Sequence, residues 1–216
     1  MQNFENEKFR RTLMSRIKAA VPFAIKARLI RKDGLIPTAA RVWDQEFVSG
    51  RWDYLGKVGE MPRYAVIAGY YRASPANDTV LDVGCGTGIL QPWLERVGYG
   101  LYRGVDLSVT AIEQAQRCAN QTTHFEVANA ETYVPPRTFD VIIFNEMLYY
   151  MTDPVRELRR YSQYLAPKGT YIISLWECRE SWRVWHKCRT RLTLLDETRI
   201  GRGGLSWRIR LCQPAA

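Results

Sequence analysis

Two rhythms of apolar positions divide this chain. From about residue 79 onward, short apolar runs alternate with longer stretches in which apolar residues recur three and four apart, so strand and helix patterns take turns. The strand-like runs are 79–83, 102–106, 124–128, 139–145 and 170–176, and the helix-like ones are about 90–97, 109–120, 154–165 and 181–191. Val-Ile-Ile-Phe at 141–144 and Tyr-Ile-Ile at 171–173 are continuous apolar runs, as expected of parallel strands buried on both faces. Pro167-Lys-Gly169 reads as a turn into the fifth strand. Two further runs, 194–200 and 205–211, flank the glycines 201, 203 and 204, which predicts an antiparallel hairpin.

Ahead of residue 79 the rhythm is helical. Leu13, Ile17, Ala20, Val21 and Ala24 form one stripe with Arg16 and Lys18 off it, and Pro22 would kink that helix. Gly34 and Pro37 mark a break. Residues 41–55 are dense in aromatics, 62–73 read as a helix, and Ser74-Pro-Ala-Asn-Asp78 is a turn cluster. The predicted fold is α/β, a doubly wound, seven-stranded, mostly parallel sheet with an antiparallel C-terminal hairpin and an N-terminal helical extension. Three parts are expected: a basic helical extension over 1–36, a helical lid over 37–74, and the sheet domain over 75–216.

Charge sharpens that division. The net charge of +9 is carried by the ends. Residues 1–36 hold nine basic and three acidic side chains, and residues 179–210 repeat that count, whereas 37–178 hold thirteen against sixteen. The basic stretch 8–32 fits a helix packed on its own domain with a solvated basic face. It also fits peripheral contact with an anionic membrane surface, or an acidic or nucleic-acid partner. No apolar stretch approaches the roughly 18 residues of a membrane span, and Glu5 and Glu7 replace the start of a signal peptide. The five cysteines are scattered without a Cys-x-x-Cys pair, so neither a disulfide framework nor a metal site is expected, and a cytoplasmic location fits best.

The chemistry concentrates at residues 80–89, V-L-D-V-G-C-G-T-G-I. A strand runs there into a turn with glycine at every second position, where bare backbone lets a ligand approach. Asp106 closes the next strand, and a glycine turn with such an acid is how α/β folds hold an adenosine ribose. A nicotinamide dinucleotide fingerprint would need its third glycine at position 89, which is Ile89.

With these residues the chain resembles the class I S-adenosylmethionine-dependent methyltransferases over roughly 75–211. Residues 81–88 resemble the family's first motif, 104–108 the second, 128–131 the adenine loop and 139–150 the fourth motif. The resemblance implies S-adenosylmethionine as cofactor. It implies contacts from Asp82, Gly84, Cys85, Gly86 and Gly88, from Asp106 and Leu107, from Asn129, Ala130 and Glu131, and from Asn145, Glu146 and Leu148. Asn129 stands where the family commonly has an aspartate, and its amide oxygen can still accept from an adenine amine. Glu146, Tyr149 and His186 are the candidates for orienting an acceptor or taking its proton. Trp43, Arg51, Tyr64, Tyr150 and Trp176 are the candidate acceptor contacts, the first three from the lid. His124 starts the third strand, away from this chemistry.

The position that carries Asp/Asn-Pro-Pro-aromatic in base-amino methyltransferases reads Asn-Glu-Met-Leu at 145–148, which argues against a nucleic-acid substrate. The expected acceptor is the oxygen or nitrogen of a small or medium-sized molecule, including glycans, lipid-linked intermediates and secondary metabolites. The alternatives are an RNA or protein methyltransferase, or a non-catalytic S-adenosylmethionine-binding protein.

Overall fold

A computed structural model of the chain describes residues 36–202 and 204–215. The basic stretch 8–32, and with it the expected extension over 1–36, lies outside the described residues except for its last residue. The lid segment comprises α1 (Ile36–Val48), a 3-10 turn (Asp53–Gly56) and α2 (Met61–Ala73). Then come β1 (Thr79–Val83), α3 (Gln91–Glu95), β2 (Leu101–Asp106), α4 (Val109–Ala115), β3 (Thr123–Val127) and β4 (Phe139–Asn145). The chain ends with α5 (Pro154–Ser162), β5 (Leu165–Trp176), α6 (Arg179–Cys188), β6 (Leu192–Arg202) and β7 (Leu205–Pro214).

The seven strands run in the order β3-β2-β1-β4-β5-β7-β6. All neighbours are parallel except β7, which pairs antiparallel with both β5 and β6. Successive strand residues point to opposite faces, and each face buries its own core. Val80, Tyr102, Val141, Ile143 and Ile172 pack with Ile67, Leu94 and Ile112 from α2, α3 and α4. Leu81, Val105, Ile142, Phe144 and Ile173 pack with Leu158, Tyr161 and Trp185 from α5 and α6. The expected doubly wound sheet is the observed one. Strand order reverses between β1 and β4, and the crevice at their carboxyl ends is where such sheets bind ligands.

Local chemistry trims the predicted elements. The helix read over 109–120 is α-helical only to Ala115 and tightens into a 3-10 turn at Gln116–Cys118. There the Gln116 side chain donates to the Phe125 carbonyl at 3.0 Å and ties the turn to β3. The predicted turn at 167–169 lies inside a longer β5, whose pairing with β4 shifts between Phe139 and Val141. Lys168 absorbs that irregularity at φ +65°. A bulge, not a turn, therefore precedes the buried half of the strand.

Candidate active site

The glycine turn leaves β1 toward the crevice. Gly84, Gly86 and Gly88 take φ of +78°, +55° and +75°. At Gly84 a Cβ would sit 2.7 Å from the sulfur of Met147, so the turn and the loop after β4 touch through glycine alone. At Gly86 a Cβ would meet only Phe47 of α1, at 3.6 Å. The backbone N–H groups of Gly84 and Cys85 donate to the Val105 carbonyl at 2.8 and 3.1 Å, which locks the turn to β2. The Cys85 side chain is buried, and burial, its largest influence, pushes its thiol well up, so it fills the turn as an unreactive thiol.

Asp106 ends β2 with its carboxylate spread over two helix entrances. One oxygen accepts from Gly86 N–H at 2.9 Å and the other from Ser108 N–H at 2.9 Å, past the half-buried Leu107. Burial raises its pKa, opposed by those backbone donors. Asp82 lies beneath the turn, wholly buried. The Tyr102 hydroxyl donates to its Oδ2 at 2.7 Å, and Oδ1 has no hydrogen-bond partner. Burial pushes its carboxyl up to about 7, against the pull of Tyr102.

The loop after β3, the expected adenine contact, is tied down from two sides. The Asn129 Oδ1 accepts from Glu131 N–H at 2.9 Å, which leaves that oxygen a second lone pair. The Glu131 carboxylate accepts from the backbone and hydroxyl of Thr152. The Ala130 carbonyl accepts from the Tyr161 hydroxyl at 2.9 Å and from Arg160, which also reaches the Tyr133 carbonyl.

A buried polar cluster occupies the end of β4. Arg63 of α2 is only 2% exposed. Its guanidinium donates to Asn145 Oδ1 at 2.8 Å and to Glu60 and Tyr64, both at 3.2 Å, and stands 3.5 Å from Glu146 Oε1. Burial alone would lower its pKa, but Glu146, Tyr64 and Glu60 raise it overall. Glu146 takes φ +59°, a left-handed conformation that costs a non-glycine residue about 1 kcal/mol or more. Its N–H donates to the Ser174 carbonyl at 2.8 Å, and its Oε2 accepts from the Tyr149 hydroxyl at 2.7 Å. Its Oε1 has no hydrogen-bond donor. Burial raises its pKa, while Arg63 and Tyr149 hold the carboxylate form. Strain and an oxygen without a hydrogen-bond donor at a strand's carboxyl end make Glu146 a candidate functional position.

Segment 37–74, the expected lid, packs against this ground. Asp44 of α1 accepts from the Ser108 hydroxyl at 2.6 Å and from Thr110 N–H at 3.2 Å, pinning α1 to the start of α4. Trp43 meets Tyr150 edge-on with centroids 5.0 Å apart and stacks on Trp52 at 5.8 Å. Tyr150 in turn meets Tyr149 at 4.5 Å. Trp176 ends β5 and pairs with Trp207 of β7.

The structure thus brings Glu146, Tyr149, Asn145, Tyr150, Tyr64 and Trp43 together around the end of β4. Three other candidates fare differently. His186 lies on the exposed side of α6, stacked on Trp182 with its Nε2 2.9 Å from Arg189, so it has no geometric support as a base. Arg51 is spent on Glu46 within its own segment. Leu148 is fully buried in the core, so its side chain supports the loop from beneath. Arg63 was not foreseen. Its Glu-x-x-Arg-Tyr spacing puts Glu60 and Arg63 one turn apart, but only the tertiary fold aims the pair at β4.

These residues fit a nucleoside with a cationic tail. The open face at Gly86 lies beside the Asp106 carboxylate, and Asp82 beneath the turn keeps an oxygen without a partner. Among the described residues no cluster of His, Cys, Asp and Glu could hold a metal ion.

A family model described as a methyltransferase domain matches residues 59–202, more than half of the chain. A ubiquinone biosynthesis O-methyltransferase from Thiobacillus denitrificans is 34% identical over 108 residues, 48% of this chain and 46% of that protein. One from Neisseria meningitidis is 30% identical over 146 residues, 63% of this chain and 57% of that protein. The chain spans about half the length of the curated relatives it matches. Among solved structures, the N-methyltransferase NodS from Bradyrhizobium japonicum, in complex with S-adenosyl-L-homocysteine, superposes with a TM-score of 0.70 at 16% identity, over 82% of this chain and 98% of that one. Magnesium protoporphyrin IX methyltransferase from Synechocystis, with bound S-adenosylmethionine, does so at 0.65 and 14% identity, over 82% and 96%. At such identities the likeness is one of fold. Family match, strand order and glycine cradle agree: the chain belongs to the class I S-adenosylmethionine-dependent methyltransferases, and S-adenosylmethionine is its cofactor.

Proposed function

We propose that the chain methylates the oxygen or nitrogen of a small, ring-bearing acceptor, with a hydroxyl as the favoured nucleophile. The single observation that carries this reading is Glu146, held at φ +59° at the end of β4, with one carboxylate oxygen on Tyr149 and the other without a hydrogen-bond donor and 3.5 Å from Arg63. The curated relatives named as ubiquinone biosynthesis O-methyltransferases favour oxygen, and the fold neighbour NodS, an N-methyltransferase, keeps nitrogen as the second reading.

S-adenosylmethionine supplies a methyl group already activated on a sulfonium, so the protein's task is alignment. The roles proposed for the chain's residues follow their placement. Gly84, Gly86 and Gly88 would cradle the methionine half, Asp106 the ribose, and Asn129 and Ala130 the adenine. Tyr149, Tyr150, Trp43 and Trp176 would wall the acceptor side, and Glu146 would receive the acceptor's proton through Oε1, the oxygen that Tyr149 does not hold. Arg63 would keep Glu146 ionised enough to accept it. The lid over 37–74 would exclude water from this space, joined to the sheet domain over 75–216. No described helix is long and apolar enough to cross a membrane.

The test pairs two variants. Asp106→Ala should abolish S-adenosylmethionine binding in calorimetry. Glu146→Gln should leave S-adenosylhomocysteine binding within a few-fold yet lower turnover about 10²-fold or more, read on the acceptor found by screening a metabolite pool with methyl-labelled cofactor. Full turnover by Glu146→Gln would remove the base from the reading.

A further inference from the structure

Helix α6 follows the carboxyl end of β5 and packs on the 3-10 turn Leu148–Tyr150 beside the proposed acceptor side. Its inner face is well anchored. Val184, Trp185 and Cys188 are buried, and Arg210 of β7 lies over the Trp185 ring at 4.4 Å. Its outer face is unusual. Trp182 is 67% exposed, the greatest exposure of any described aromatic among the exposed large hydrophobics, and its ring stacks nearly parallel on His186 at 5.6 Å. Around it stand Arg179, Arg183, Lys187 and Arg189, against a single acidic residue in the helix, Glu180 in the first turn. Arg179, Arg183 and Lys187 have no ion-pair partner among the described residues, and Arg189 is bonded only to His186. A core would bury that indole, and a solvated charged face would balance its cations with acids. This face does neither.

We infer that the outer face of α6 is a docking surface for an anionic lipid bilayer, with Trp182 seated at the headgroup level and the flanking cations on lipid phosphates. The occupant follows from two complementarities. An indole that is apolar across its ring and polar at its N–H suits the membrane interface. Cations without an ion-pair partner among the described residues suit a negatively charged surface, which attracts them within a Debye length. A nucleic acid would meet the same charges, but a lone ring on a convex helix offers no groove or stacking platform for successive bases. Docking here would turn the neighbouring acceptor side toward the bilayer, where a lipid-borne acceptor resides. The inference does not rest on which atom is methylated.

The experiment uses the full chain with vesicles of mixed phosphatidylglycerol and phosphatidylcholine, and of phosphatidylcholine alone. The parent should co-sediment with the first and not the second, and release at high salt. Trp182→Ala, and separately Arg179→Glu with Lys187→Glu, should each weaken that binding about fivefold or more. Because the buried face holds the helix, all variants should keep S-adenosylhomocysteine affinity and unfolding midpoint. Absent binding by the parent overturns the inference, as does undiminished binding by the folded variants, which would place the contact elsewhere in the chain. Binding of an RNA oligonucleotide that the same substitutions abolish, without vesicle binding, also overturns it. Failure of cofactor binding in the parent would instead strike the methyltransferase reading.

Discussion

Asp82 shows how much one buried residue can carry. It pairs with Gly104 on β2 and Ile143 on β4, so it sits in the middle of the sheet just below the glycine turn. There a carboxylate has one donor, Tyr102, and an oxygen with none. Burial raises its pKa to about 7. The folded state therefore holds the proton more tightly than the unfolded chain, whose aspartate titrates near pH ~4. The resulting contribution to stability is full below that value and is lost as pH rises through about 7. Between pH 5 and pH 8 the urea midpoint of the parent should fall more than that of Asp82→Asn. Equal slopes would show that Asp82 does not titrate in this window. The same orphaned oxygen is what a positively charged ligand above the turn would meet. Position 82 was legible in the sequence as part of the glycine motif, but its altered acidity was not, because acidity depends on Tyr102, twenty residues away.

At the scale of elements, the adenine loop is held by a helix rather than by itself. Arg160 of α5 bonds both carbonyl groups of the loop and pairs with Glu157 at 2.8 Å, a carboxylate with no solvent exposure. Arg156 pairs with the same Glu157 at 2.8 Å from the exposed side. Removing Arg160 leaves Glu157 half-compensated, the Tyr133 carbonyl without its donor and the Ala130 carbonyl on Tyr161 alone, so Arg160→Ala should cost about 2–3 kcal/mol. It should also weaken S-adenosylmethionine binding without touching the glycine turn. Thermal unfolding and calorimetry read the two effects, and unchanged cofactor affinity would detach α5 from the site. Helix α5 itself was predictable from its apolar spacing and from Asp153, which caps it by accepting from Val155 and Arg156 N–H. Its task was hidden, since Arg160 looks like any exposed helix cation until the loop arrives over it.

At the scale of the whole molecule, Arg63 joins the lid segment to the sheet. It lies between Glu60 on one side and Asn145 with Glu146 on the other, spanning 82 residues of sequence. A guanidinium so buried is costly unless paired, and its loss strands Glu146 with Tyr149 alone. Arg63→Met should destabilise the fold by about 3 kcal/mol, and adding Glu146→Gln should recover part of that loss. Strict additivity of the two changes in urea unfolding would mean the two side chains do not communicate. One contact thus links the packing of α2, core stability and the charge of the candidate base.

Features that depend on near neighbours are legible along the chain: the alternation of strands and helices, the glycine turn, the acid ending β2 and the closing hairpin. Apolar period and turn chemistry act over a few residues, so they survive without a fold. Folding in three dimensions sets which polar groups lose water and meet each other. It moved His186 to the surface, spent Arg51 on Glu46, buried Leu148, and drew Arg63 into the crevice. It also exposed Trp182, whose spacing on α6 does not differ from that of a core residue. Burial and charge pairing are properties of distance in space, and no local pattern encodes the distance between α2 and the end of β4.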